Sequence, residues 1–255
     1  MSTVREQLQA VVDKYVGVRG GESALDGGPG AELGGEGAGV EVVNGERLPM
    51  YARLRGKFPV RKRAAVLVLF GALDSIPAVH PSEVVPSDLD VLLLRRSDGL
   101  RSHAGQIALP GGGWEEGDET LVDTALREAV EETGLDPDGV KVLGTLPVTP
   151  TVSGYEVTPV LAVWEKPSKV APVDVNESVD VFRTPVADLL SDDVRCITEF
   201  ERNGKPFRMP AYRLQQGLLW GFTATVLTSI LTDAGWLETG WMRPSANPVK
   251  VEPKV

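Results

Sequence analysis

Three glutamates, Glu128, Glu131 and Glu132, stand at i, i+3 and i+4 in the run Gly113–Leu135, GWEEGDETLVDTALREAVEETGL. On a helix that spacing crowds three carboxylates onto one side. Like charges so placed destabilise a helix by roughly 0.2–0.5 kcal/mol per pair. A divalent cation reverses the sign, because hard ions such as Mg²⁺ take carboxylate oxygens and bridge to substrate phosphates. An isolated ExxEE is ordinarily a solvated acidic face. The residues at fixed distances around it decide between the two.

Those residues supply a helix and a turn. Val122, Leu126, Ala129 and Val130 recur on one helical face, which predicts an amphipathic helix with its glutamates on the opposite face. Asp118 or Thr120 can cap its start, and Gly134 can take the left-handed position that ends it. Just upstream, LLLRRSDGLRSHAGQIALPGG (92–112) reads as a strand ending in Arg95 and Arg96. A polar loop with Arg101 and His103 follows, and then a turn, Pro110-Gly111-Gly112-Gly113, with exposed backbone amides. Glycines let backbone approach a ligand closely, and arginines grip phosphate in bidentate fashion.

The whole pattern is Gly113, five residues, Glu119, seven residues, then Arg127-Glu128-Ala129-x-Glu131-Glu132-x-Gly134-Leu135. It resembles the Nudix box, the catalytic motif of the Nudix hydrolases, at every charged and glycine position. Ala129 stands where a larger aliphatic is usual. The upstream segment, from Leu92-Leu93 through Arg96-Ser97, Leu100-Arg101, His103, Gly105-Gln106-Ile107 to Pro110-Gly111-Gly112, is similar to the motif preceding the box in coenzyme A pyrophosphatases, with Leu109 in place of the usual Phe. Three later stretches, Thr151–Tyr155, Asn176–Val179 and Trp220–Ala224, resemble that subfamily's landmarks. The resemblance covers residues 60–236.

The resemblance implies an α+β domain with the Nudix fold, a mixed β-sheet sandwiched between α-helices. It implies Mg²⁺- or Mn²⁺-dependent hydrolysis of coenzyme A or acyl-CoA, giving 3′,5′-ADP and 4′-phosphopantetheine. Glu128 and Glu132 are then the first choice as metal ligands, and Glu131 is a third ligand or the base. The carbonyl of Gly112 or Gly113 assists. Glu177, outside the box, is the alternative base. Arg127 pairs with Glu119 and holds the helix against the preceding loop. Arg96, Arg101 and His103, with the amides of Gly111 and Gly112, are the candidates for binding substrate. Two other readings stay open: the same chemistry on ADP-ribose, dinucleotides or nucleotide sugars, and a non-catalytic nucleotide-sensing module.

Composition bounds the rest. The chain has 255 residues, 42% of them hydrophobic, enough for a real core. Lys and Arg number 26 against 36 Asp and Glu, a net charge of −10. That balance argues against a general nucleic-acid binder. It also repels anionic substrates, so local cations must offset the bulk field. No apolar run is long enough for a membrane span. A lone Cys196 leaves no intrachain disulfide and no cysteine metal cluster, and cytoplasmic residence is the simple reading. The oligomeric state is open, a homodimer included.

In chain order, residues 1–17 read as an appended helix with Val4, Leu8, Val11 and Val12 on one side, and 18–44 as a glycine-rich flexible linker. The catalytic domain spans 60–238 and a loose tail 239–255. Within the domain, 63–70, 90–96, 141–148 and 158–165 read as strands, and 185–191 as a short helix. Residues 195–202 and 207–214 form a hairpin about Asn203-Gly204, and 223–236 is a helix. Glu115 and Glu116 read as solvated, His80 as plain surface, and Trp220 and Phe222 as core.

Overall fold

The computed structural model describes residues 3–16, 42–43, 46–47, 62–72, 77–100, 102–151, 154–202, 205–240 and 248–251. The chain opens with α1 (Val4–Asp13), started by a capping box in which the Thr3 hydroxyl accepts the Glu6 N–H and the Glu6 carboxylate accepts the Thr3 N–H. Next come β1 (Val42–Val43) and β2 (Glu46–Arg47), an antiparallel pair. The first falls inside the stretch expected as linker, whose glycine-rich part lies outside the described residues.

From there run β3 (Lys62–Ala72), β4 (Leu89–Arg96), β5 (Ile107–Ala108) and β6 (Gly111–Gly113), then α2 (Leu121–Thr133). After α2 follow β7 (Val140–Thr145), β8 (Thr149–Pro150), β9 (Tyr155–Trp164), β10 (Ser178–Pro185) and α3 (Val186–Leu189). The last elements are β11 (Arg195–Arg202), β12 (Lys205–Leu214), β13 (Gly217–Leu219), α4 (Gly221–Asp233) and β14 (Val249–Lys250).

The central sheet runs β10-β4-β3-β9-β7, with β5 on β4, β6 on β3 and β8 on β9. Its β3–β9 pairing is parallel and the others are antiparallel, so the sheet is mixed as expected. Two-residue periodicity divides its side chains between two layers. Ala65, Leu67 and Leu69 of β3 meet Ala125 and Ala129 of α2. Val68 and Phe70 join the core that holds Leu8 and Val11 of α1 and Leu227 and Ile230 of α4. Helices therefore cover both faces. A second, four-stranded sheet, β13-β12-β11-β14, was not foreseen as separate.

Two expectations are corrected. α1 is not an appendage: Leu8, Val11, Val12 and Tyr15 are buried in the main core, and Lys14 and Tyr15 both bond Asp233 at the end of α4. Part of the tail is not loose, since β14 pairs in parallel with β11 at Thr198 and Glu199. Sequence patterning does not show β1, β2, β5, β6, β8, β10, β13 or β14 as strands; β6, an all-glycine strand, reads as a turn by composition alone.

One feature of the topology makes room for a site. β3 changes partner along its length: Phe70–Ala72 pair with β4, whereas Ala64–Val66 pair with β6. The sheet forks there, and α2 lies against β6 and β3.

Candidate active site

The site grows from β6. Gly111 packs so tightly on β3 that a Cβ would fall 2.3 Å from the Ala65 carbonyl oxygen. At Gly112 a Cβ would fall 2.4 Å from the carboxyl carbon of Glu128. The Glu128 carboxyl occupies the space a side chain would fill, which only glycine leaves open. Outward from the same strand, the Gly111 N–H donates to Glu132 Oε2 at 2.9 Å, and the Gly113 carbonyl accepts from Arg127 Nη2 at 2.9 Å. Of the two glycine carbonyls expected to assist, that of Gly113 is therefore engaged by Arg127.

α2 presents the acids in its own phase. Its cap is Thr120, whose hydroxyl accepts the Asp123 N–H, and its end is Gly134 at φ 67°. At about 100° per residue, Glu132 lies on the buried side of Glu128 and Glu131 on the solvent side. The buried residues of α2 are Thr124, Ala125, Ala129, Glu132 and Thr133. Val122, Leu126 and Val130 are only partly buried against the same core. The three glutamates thus occupy three environments, not one shared face opposite the core. Among the described residues no group of three or more His, Cys, Asp or Glu stands together as a metal-ligand set.

Glu132 is 7% exposed, and burial pushes its carboxyl up to about 7; the Gly111 N–H and Arg96 oppose that rise, while Glu128 and Glu177 add to it. Arg96 Nη1 lies 3.6 Å from Glu132 Oε1. Burial likewise raises the Glu128 carboxyl, against the pull of Arg127. Glu131, with its side chain 57% exposed, is held by Arg127 Nη1 at 3.1 Å.

Arg127 is the knot of the loop. Its Nε and Nη2 donate to the two carboxylate oxygens of Asp118 at 3.0 and 3.1 Å, and its Nη1 reaches Glu128 at 3.1 Å. The hydrogen bonds from Arg127 hold the Asp118 carboxyl down to about 2, with the Glu115 N–H and the Thr124 hydroxyl adding to the effect. The expected Arg127–Glu119 pair is not formed: Glu119 is exposed, while Asp118 is tucked under Trp114, whose Nε1 donates to its carbonyl at 3.0 Å. Asp118, expected only as a possible helix cap, is thus the Arg127 partner that motif reading missed, and Thr120 alone caps the helix. The signal available was a short acid placed to close the loop onto the helix.

The remaining candidates scatter. Glu177 is exposed, and its carbonyl accepts the Ser97 N–H at 2.8 Å, tying its loop to the end of β4. His103, at φ 57°, is partnered by Gln106 at 3.0 Å, and the Gln106 carbonyl accepts the Arg96 N–H. Arg101 lies outside the described residues. Glu115 and Glu116 are exposed. His80 is not plain surface: its Nδ1 lies 2.9 Å from Asp188, away from the fork. Phe222 packs against the core, as expected.

The donor chemistry fits a divalent cation. Two carboxylates, Glu128 and Glu132, are held uncomfortably out of water beside a glycine strand, and Mg²⁺ is commonly bound by one or two carboxylates plus substrate phosphates. Glu131, drawn off by Arg127, lies apart from that pair.

The model of the NUDIX domain matches residues 80–199. The chain is 35% identical to the uncharacterized Nudix hydrolase NudL of Pectobacterium atrosepticum over 168 residues, covering 66% of this chain and 80% of that one. It is 32% identical to the NudL of Citrobacter koseri, covering 72% and 88%. Among solved structures, the Nudix hydrolase RenU of M. smegmatis is similar at 26% identity and a TM-score of 0.37, covering 49% of this chain and 71% of that one. On its sequence relatives the chain belongs to the Nudix hydrolases. It is accordingly a pyrophosphohydrolase of small nucleoside diphosphate derivatives.

Proposed function

We propose that the chain hydrolyses the diphosphate linkage of coenzyme A or acyl-CoA to 3′,5′-ADP and (acyl-)4′-phosphopantetheine. The motif from Leu92 to Gly112 supports that substrate, and the observation that carries the chemistry is the pair of carboxylates, half-buried Glu128 and buried Glu132, laid along the glycine strand. Mg²⁺ or Mn²⁺ held by these two would polarise the phosphoryl oxygens and lower the pKa of water.

The chain's own residues do the rest. Gly111 and Gly112 keep the strand bare so that the diphosphate approaches backbone and carboxylates together. Arg96, whose Nε is buried with no partner among the described residues and whose Nη1 faces Glu132, offers its fork to a phosphate oxygen. Arg127 and Asp118 fix the helix against the loop. Glu177 is the proposed base: the Ser97 N–H ties its loop to the end of β4 beside Arg96, and it is exposed. Glu131, engaged by Arg127, is less suited to that task. Cytoplasmic residence belongs to the same proposal.

The test is a panel of coenzyme A, dephospho-coenzyme A, ADP-ribose, dinucleotides and nucleotide sugars with Mg²⁺ or Mn²⁺, with products separated by chromatography. Preference for coenzyme A supports the reading. Preference for ADP-ribose moves the substrate, and no turnover of any diphosphate leaves a nucleotide-sensing module.

A further inference from the structure

We propose that Ser178 is a positioning residue for Arg96: its hydroxyl accepts the Arg96 Nε–H when the guanidinium holds a substrate phosphate, which leaves Nη1 and Nη2 to grip that phosphate end-on. The proposal rests on the reading of a nucleoside diphosphate substrate and adds what seats the arginine that meets it.

Two buried polar atoms at the end of β4 have no partner among the described residues: the Nε of Arg96 and the Oγ of Ser178. Ser178 is only 1% exposed, so water does not make up the loss. A buried donor or acceptor left unpaired is destabilising. The guanidinium Nε can only donate, and a hydroxyl oxygen has lone pairs to accept. Each atom is what the other lacks.

The two residues stand side by side. Ser178 of β10 is the register partner of Arg96 of β4. The Ser97 N–H donates to the Glu177 carbonyl at 2.8 Å, so the bond joins the residues flanking the pair. That makes Ser178 and Arg96 a non-hydrogen-bonded antiparallel pair, the kind whose Cα atoms lie about 4.5 Å apart and whose side chains come closest. Residues directly opposite share one face of a sheet. Here it is the face of α2, because Arg96 Nη1 lies 3.6 Å from Glu132 Oε1. That separation is too long for a hydrogen bond. A phosphate oxygen at the same nitrogen is the stronger, charge-assisted partner.

The strand is bent to bring the serine inward. Val181 packs in the α2 layer, and plain two-residue alternation from it would turn Val179 inward and Ser178 outward. Instead the register shifts between Ser178 and Asp180, Val179 is 42% exposed, and Ser178 is the buried one. Bulges of this kind re-aim a side chain and are over-represented next to active sites. The loop before the bulge is held as well: the Asp174 carbonyl accepts the N–H of Glu177 at 3.0 Å and that of Ser178 at 2.9 Å. An arginine bonded through Nε to a hydroxyl so placed loses less freedom in meeting a phosphate.

The test is a double-mutant cycle in the full-length protein, read as kcat/KM on whichever diphosphate of the panel is cut fastest. Ser178→Ala should lower kcat/KM about tenfold, the scale of one hydrogen bond to a charged group. Ser178→Cys, which keeps the bulk but offers only a weak acceptor, should do the same. In Arg96→Lys, which keeps the charge and has no Nε–H to seat, Ser178→Ala should cause no further loss. The melting temperature of the free protein should not fall in Ser178→Ala, because the hydroxyl it removes has no partner there. Unaltered kinetics in Ser178→Ala, losses that add in the double variant, or a lower melting temperature without coupling, each with coenzyme A still hydrolysed, overturn this inference alone. Full coupling on ADP-ribose with coenzyme A left uncut sustains it and overturns the coenzyme A reading; no turnover of any diphosphate overturns both.

Discussion

Burial holds the Glu132 carboxyl at about 7, against an ordinary value of 4.5, so the metal-free folded chain binds its proton more tightly than the unfolded chain does. The stability that this protonation contributes is fully present below about pH 4.5 and is lost as pH rises through about 7. At 1.36 kcal/mol per pH unit the loss is roughly 3 kcal/mol. With chelator present, wild type should therefore fall behind Glu132→Gln in melting temperature between pH 5 and pH 8; parallel profiles would remove burial as the cause. The same substitution should lower turnover about 10²-fold or more, on the scale of a lost electrostatic stabiliser, with the circular dichroism spectrum unchanged. Gly112→Ala should also abolish most activity in a folded protein, because its methyl group takes the place of the Glu128 carboxyl. The run of acids along one helix was legible in their spacing. Their unequal environments were not, because a helix of unknown rotation leaves open which of Glu131 and Glu132 turns inward.

At the level of elements, the turn before α2 depends on a bond that motif matching misassigned. Asp118→Ala strips Arg127 of a two-point partner and should cost about 1–3 kcal/mol, as for a buried polar group left unpaired, whereas Glu119→Ala, at an exposed position, should stay within about 0.5 kcal/mol. Chemical denaturation of both variants checks this, and equal losses would restore the Glu119 pairing. The long strands were readable because Ala65 to Phe70 and Val91 to Leu94 are apolar on both faces, the mark of a strand covered by helices on each side. β6 was not, since Gly111, Gly112 and Gly113 carry no pattern; its strand state comes from pairing with Ala64–Val66. β10 was hidden because only Ser178, Phe182 and Thr184 of its eight residues are buried, which gives no apolar run, and its partner, β4, is remote in sequence.

Across the whole molecule, the helix at the start of the chain behaves as core. Leu8 is fully buried, and Val12 fits over Gly144 of β7, where a Cβ would come within 2.5 Å of it. Leu8→Ala should cost about 2–5 kcal/mol, and removal of residues 1–16 should lower the melting temperature or bring aggregation; an unchanged melt would contradict the packing. The glycine-rich composition of 18–39 misled here, because a tether without side-chain patterning says nothing about whether the segment before it docks. The fold class was legible all the same, since long buried strands around a capped amphipathic helix require helices on both faces of one sheet.

The most direct measurement follows coenzyme A with purified protein and its Glu132→Gln variant, in Mg²⁺, in Mn²⁺ and in chelator, resolving products by chromatography. The account predicts 3′,5′-ADP and 4′-phosphopantetheine from wild type only with metal, and about 10²-fold less from the variant. Equal turnover by the two proteins, or turnover undiminished by chelator, would contradict it.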